Sequence, residues 1–229
     1  MGSAADGVTG PSPVRLGSAR VTLLIMDNDG VLVDSELIAN RILAALLTEY
    51  GDPITYQEAI ASYMGTSLAH VREVVEAKLE RPLPADFEQR YHDELFTRLR
   101  SDLTSVPGVE AALDAIDLPT CVASSGTHER IELTLKTVGM YDRFAGRIFS
   151  SQDVERGKPF PDLFLHAADR MGVESSEAVV VEDSPYGVQA AKAAGMTVVG
   201  YAGLTPATRL AGADRVITTM ADLPTAISG

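Results

Sequence analysis

Cysteine occurs once, at Cys121, which excludes an internal disulfide and fits a reducing compartment. Tryptophan is absent and aromatic residues make up 6% of the chain, so a nucleobase would find little to stack on. Lysine is scarce, at Lys78, Lys136, Lys158 and Lys192 alone, and the net charge is −13. No basic face is on offer to a nucleic-acid backbone or an acidic membrane surface. Apolar runs stay well below the roughly 18 residues of a membrane-spanning helix. Residues 1–19 are rich in Gly, Ser, Ala and Pro, lack the apolar stretch of a signal peptide, and read as a flexible tail. These absences point to a cytoplasmic protein that binds neither nucleic acid nor membrane; a monomer or weak dimer is expected.

What is present suits a folded globular protein. Hydrophobic residues reach 45% over 229 residues, enough for one large or two unequal domains. Short β-branched runs at Val21–Met26, Thr120–Ala123, Arg147–Phe149, Ala178–Val181, Thr197–Val199 and Arg215–Ile217 alternate with amphipathic helical patterns. Those helices are Val109–Ile116, Glu129–Val138, Asp162–Met171, Tyr186–Ala194 and Pro206–Leu210. The alternation predicts an α/β fold, a Rossmann-like parallel sheet with helices on both faces. One interval breaks it. Residues 35–104 carry only helical patterns, at Glu36–Tyr50, Thr55–Met64, Leu68–Leu79 and Asp86–Leu99. They read as a small all-helical cap inserted into a core of residues 20–34 and 105–229.

Four segments follow predicted strands and carry chemistry. The first, Leu23 to Glu36, ends an apolar strand in Asp27-Asn28-Asp29-Gly30. Two carboxylates at a strand tip call for positive charge, and a divalent cation with a phosphate ester would supply both a counter-charge and a ligand; an ordinary Asp-Gly turn is the plain alternative. Val31 and the early glycine do not fit a calcium-binding EF-hand loop. The second segment, Ser124-Ser125-Gly126-Thr127-His128, opens a helix with groups able to take an anion or simply to cap it. No serine-hydrolase elbow is present. The third, Gly157-Lys158-Pro159-Phe160-Pro161, holds a lysine in a stiffened loop, either as a fixed cation or as a solvated charge. The fourth, Glu182-Asp183-Ser184-Pro185, repeats the acid pair at a strand end. Four carboxylates at neighbouring strand tips cannot all stay ionised without a metal.

In this order the motifs resemble the haloacid-dehalogenase superfamily over residues 21–203. The place of the helical insert resembles the subgroup with β-phosphoglucomutase, phosphoglycolate phosphatase and sugar-phosphate phosphatases. Asn28 departs from the apolar or aromatic residue usual there, and the pleat turns it toward packing. The resemblance implies a Mg²⁺-dependent phosphatase acting on a small phosphorylated metabolite. Asp27 would be the nucleophile and Asp29 the general acid and base. Asp27, Asp183, Glu182 and the Asp29 carbonyl would serve the metal, with Glu182 orienting its water or Lys158. Ser124, Lys158 and the amides of Ser125 and Gly126 would bind phosphate. Glu36, Asn40 and the turn at Met64-Gly65-Thr66-Ser67 would meet the substrate from the cap. A sugar or polyol phosphate of the 6-phosphogluconate type is expected, with phosphoglycolate as alternative. Asp29 and the acid pair count against a dehalogenase. A phosphonatase would need a lysine where Glu36–Tyr50 has none, and a β-phosphoglucomutase-like mutase would need a histidine where Ala39 stands. His70, His92 and His166 lack partners at zinc-ligand spacing.

Overall fold

The computed structural model describes residues 14–16, 19–63 and 66–228. Six parallel strands form the central sheet: β3 (Leu23–Met26), β4 (Thr120–Ser124), β5 (Ile148–Ser150), β6 (Ala178–Glu182), β7 (Thr197–Tyr201) and β8 (Arg215–Ile217). Their spatial order is β5-β4-β3-β6-β7-β8. The chain runs outward from β3 in one direction, then returns to its other side at β6. That reversal places a crevice at the carboxyl ends of β3, β4 and β6, where open α/β sheets bind ligands.

The inner strands β3, β4, β6 and β7 are largely apolar because both faces are covered. Leu24, Met26, Val122, Val179 and Val181 face one buried cluster, with Val109, Ala112 and Leu113 of α5 (Val109–Asp114) and Ile131 and Leu135 of α6 (His128–Thr137). Leu23, Ile25, Cys121, Ala123 and Val180 face the other, against α8 (Asp162–Met171) and α9 (Pro185–Ala193). The buried thiol of Cys121 acts as a small apolar side chain.

Between β3 and α5 lie four helices, α1 (Ser35–Glu49), α2 (Tyr56–Tyr63), α3 (Leu68–Leu79) and α4 (Phe87–Ser101). Leu47, Phe87, Leu95 and Leu99 are buried among them, in an apolar cluster continuous with that on the α5–α6 side of the sheet. The two connections to the sheet run side by side: Asp34 N–H donates to the Thr104 carbonyl (3.0 Å) and Val106 N–H to the Leu32 carbonyl (3.0 Å).

Three features differ from the sequence reading. Within the stretch expected to be a tail, Val14–Leu16 (β1) pairs antiparallel with Ala19–Val21 (β2), a hairpin too short to show a period; residues 1–13 and 17–18 lie outside the described residues. Pro206–Leu210 forms only a 3₁₀ turn, Ala207–Leu210, too short to repeat a helical face. Two short helices, α7 (Tyr141–Phe144) and α10 (Leu223–Ser228), went unread for the same lack of length. Among the described residues no helix is long and apolar enough to cross a membrane.

Candidate active site

Asp27 is the first residue beyond β3, and its N–H continues the ladder to the Val181 carbonyl at 3.0 Å. Glu182 ends β6 and Asp183 follows it, so strand pairing alone sets the three acids side by side. Oxygens of Asp27, Glu182 and Asp183 lie within 4.8 Å of one another, and all three residues are buried. Lys158 reaches in from the loop before α8. Its Nζ donates to Asp27 Oδ1 at 2.6 Å, Glu182 Oε1 at 2.5 Å and the Ala123 carbonyl at 3.1 Å. The ammonium also sits over the Phe164 ring, 4.9 Å from its centre. This lysine is therefore a fixed buried cation, unlike Lys192, which pairs with Asp214 at the surface.

One cation does not balance three carboxylates. Burial, opposed by Lys158 and reinforced by Glu182, pushes the Asp27 carboxyl up to about 8. Burial and the charges of Glu182 and Asp27 raise Asp183 as well. Burial works against the Lys158 charge, but Asp27 and Glu182 outweigh it and raise its pKa. Two acids reluctant to ionise, beside an all-oxygen donor set, fit a hard divalent cation such as Mg²⁺.

Two glycines make the cluster possible. Gly30 has a φ of +79°, and a Cβ there would lie 2.1 Å from Asp183 Oδ2. At Gly187, third in α9, a Cβ would lie 1.8 Å from Glu182 Cδ. Glu182 is pinned in that space by Ser184, whose N–H and Oγ donate to Oε2 at 3.0 and 2.9 Å.

Ser124 closes β4, buried, and its Oγ accepts from Gly126 N–H at 3.1 Å. The carbonyls of Ser125 and Gly126 are held by the hydroxyls of Ser151 (2.8 Å) and Ser150 (2.6 Å). Thr127 caps α6 through Arg130 N–H. His128 turns away to Asp153, 2.8 Å from Nε2.

Asp29 stands apart from the acid cluster. Its Oδ1 accepts from Ser35 Oγ at 2.5 Å and from Arg130 Nη2 at 2.7 Å. Burial acts to raise its pKa, but Arg130 and these hydrogen bonds prevail and hold the carboxyl below its ordinary value. Arg130 was not found in the sequence reading. The available signal was its place in the first turn of α6, where a helix start disfavours a cation.

The cap residues divide. Glu36, in the first turn of α1, lies in the field of Asp29 and Arg130, and burial followed by Asp29 raises its pKa. Asn40 is buried beneath it, its amide donating to the Glu36 carbonyl at 2.8 Å. Tyr91 of α4 joins this group, pushed up to about 12 mainly by burial. Ser67, expected to meet substrate, is exposed and caps α3, accepting from His70 N–H at 3.2 Å; Met64 and Gly65 lie outside the described residues. Arg41 is exposed, its guanidinium over Tyr56. Asn28 packs as expected: it is fully buried and its amide donates to Thr134 Oγ1 of α6 at 3.1 Å.

A Rossmann-like sheet with acids at the tips of its two central strands, and a helical insert after the first, defines a class of α/β hydrolase. The chain belongs to the haloacid dehalogenase-like hydrolase family, whose model matches residues 24–201. It is 32% identical over 181 residues to the 6-phosphogluconate phosphatase of Escherichia coli K12, covering 79% of this chain and 82% of that enzyme. Hexitol phosphatase A of the same organism is 29% identical over 198 residues, 84% of this chain and 88% of its own. A solved haloacid dehalogenase-like protein of unknown function from Agrobacterium tumefaciens superposes with a TM-score of 0.86 at 40% identity, covering 90% and 97% of the two chains. Within the family the chain is a phosphatase, a phosphoric monoester hydrolase.

Proposed function

We propose that the protein is a Mg²⁺-dependent phosphatase that hydrolyses a small sugar or polyol phosphate, of the 6-phosphogluconate type, through an aspartyl-phosphate on Asp27. The observation that carries this is the buried set of Asp27, Glu182, Asp183 and Lys158 at the carboxyl ends of β3 and β6. Asp27, Asp183 and the Asp29 carbonyl would hold the metal, with Glu182 fixing Lys158 beside them. Mg²⁺ bound there supplies positive charge that offsets the repulsion between a carboxylate nucleophile and a phosphate dianion.

The protein's own groups do the rest. Asp27 attacks phosphorus, and splitting hydrolysis into two displacements lowers each barrier. Asp29, whose carboxyl Arg130 and Ser35 hold below its ordinary value in the free protein, must enter the reaction protonated: it gives that proton to the leaving alkoxide, then takes one from the attacking water. Lys158, Ser124 and the amides of Ser125 and Gly126 bind the equatorial phosphate oxygens, where negative charge is spread in the transition state. Residues 35–104 act as a cap that closes over the site and excludes water, hinged at Val33–Ser35 and Thr104–Gly108. The paired backbone connections support that reading, since they set the two proposed hinges side by side. The first cap helix has Ala39 where a mutase would carry a histidine, and a methyl group transfers no proton. The similarity to 6-phosphogluconate and hexitol phosphatases supports the substrate class.

Purified protein assayed on p-nitrophenyl phosphate and a sugar-phosphate panel should turn over with Mg²⁺ and stop with EDTA. Asp27→Asn should abolish turnover and keep the fold. Turnover that survives full chelation, or an Asp27→Asn variant at near wild-type rate, overturns the assignment.

A further inference from the structure

Arg130 has no part in the hydrolytic steps above, yet it is built into the site. It occupies the first turn of α6 against the helix dipole. Its guanidinium turns inward to Asp29, and its Nε is buried without a partner. Buried donors are seldom left unpaired without a reason. Nε and Nη2 make one edge of the guanidinium, the edge that grips a carboxylate with two parallel hydrogen bonds. Asp29 fills half of it: Nη2 is taken and Nε is not, and the same Oδ1 is already shared with Ser35. The charge of Arg130 also reaches Glu36 and Tyr91 on the cap helices, so it stands where cap and sheet meet.

We propose that Arg130 is a specificity-determining residue that binds a carboxylate on the leaving group, so that phosphorylated sugar acids are preferred over the matching polyol phosphates. The incoming carboxylate takes both donors of the Nε–Nη2 edge and displaces Asp29 from Nη2. Asp29 is then held by Ser35 alone and turns toward the ester oxygen, so that recognition of the acid and placement of the proton donor happen together. Glu36 lies in the same cluster, and without Arg130 its carboxyl would oppose an anionic substrate. This inference rests on the phosphatase reading and adds the residue that reads the substrate.

The test uses two matched pairs in which a carboxylate replaces a CH₂OH: 6-phosphogluconate with glucitol 6-phosphate, and 3-phosphoglycerate with glycerol 3-phosphate. The kcat and KM of wild type, Arg130→Met and Arg130→Lys are measured on all four, with circular dichroism to confirm folding. Wild type should favour the acid in at least one pair, in KM through the two hydrogen bonds and in kcat through the release of Asp29. Arg130→Met should bring the acid-to-alcohol ratio of kcat/KM close to one, a selective loss of about 10- to 100-fold, as for a hydrogen bond to a charged group. Arg130→Lys should retain part of the ratio, since it keeps the charge without the fork. A loss that Arg130→Met imposes on every substrate alike cancels in the ratio. A wild-type ratio near one in both pairs, or a ratio that survives Arg130→Met, overturns the proposal while the phosphatase reading stands. Wild-type failure on every phosphate monoester overturns both. Should Arg130→Met not fold, inhibition of wild-type p-nitrophenyl phosphate turnover decides: gluconate must bind better than glucitol, and equal inhibition overturns the proposal.

Discussion

Replacing Gly187 with alanine should destabilise the protein although the same change in an ordinary helix interior favours folding by about 1 kcal/mol. The new Cβ would stand 1.8 Å from Glu182 Cδ and 1.9 and 2.2 Å from its oxygens. Carbon contacts settle near 3.5 Å, so the carboxylate must retreat by roughly 1.5 Å. It is not free to do so. Oε1 lies 2.5 Å from Lys158 Nζ, and Oε2 takes two hydrogen bonds from Ser184. A retreat of that size carries at least one of these beyond hydrogen-bonding range. Hydrogen bonds to charged groups contribute about 1.5–3 kcal/mol each, and a buried charge left short of a partner costs about 3–5 kcal/mol. After the helix gain, a net loss of about 2–4 kcal/mol is expected, together with reduced turnover as Lys158 loses one of its anchors. Urea unfolding followed by circular dichroism, beside kcat on p-nitrophenyl phosphate, measures both. Gly157→Ala is the stability control, because its Cβ would meet nothing nearer than Ser151 Cβ at 3.7 Å. A Gly187→Ala protein as stable and active as wild type would refute the argument that Glu182 is wedged in place.

Lys158→Ala should lower kcat/KM by several hundred-fold, the scale of losing one electrostatic contact to the transition state (~3–4 kcal/mol). Lys192→Ala should be nearly silent, since its exposed pair with Asp214 is worth little; equal losses would show that total charge matters and placement does not. In metal-stripped protein, Asp27 has a folded pKa of about 8 against an ordinary 3.8, so the folded state binds the extra proton between those values. Its contribution is therefore fully present below about pH 4 and is lost as pH rises to about 8. Measured as wild type minus Asp27→Asn, unfolding free energy should fall across that window, and Mg²⁺ should flatten the slope; a flat or rising difference without metal would contradict the pKa argument.

The sheet was legible because its inner strands are apolar on both faces and its strands lie between turn residues and helical patterns. Arg215–Ile217, Leu68–Leu79 and Asp162–Met171 were placed to the residue. Short elements were not legible: a three-residue hairpin strand or the four-residue Tyr141–Phe144 is too brief to repeat a face. At the candidate site, Asp27, Lys158, Glu182 and Asp183 could be read because each follows a strand whose end the fold must bring to one edge. Ser67 caps α3 in the structure, as a hydroxyl beside a helix start does as readily as it meets a ligand. Arg130 stayed hidden because its partner, Asp29, is remote in sequence, and a lone arginine in a helical pattern carries no spacing signal.

The chain's earliest central strand, β3, has its neighbours in β4 and β6, which are made much later. Until β6 is synthesised, β3 is an open edge, Asp27 lacks the Val181 carbonyl and Lys158 lacks Glu182. The four chemical groups thus share no local nucleus: pairing across the whole length of the chain assembles them in one event. An intact site therefore reports completed synthesis and correct topology together, and a chain cut short before Ala178 exposes its motif strand to pairing with other chains.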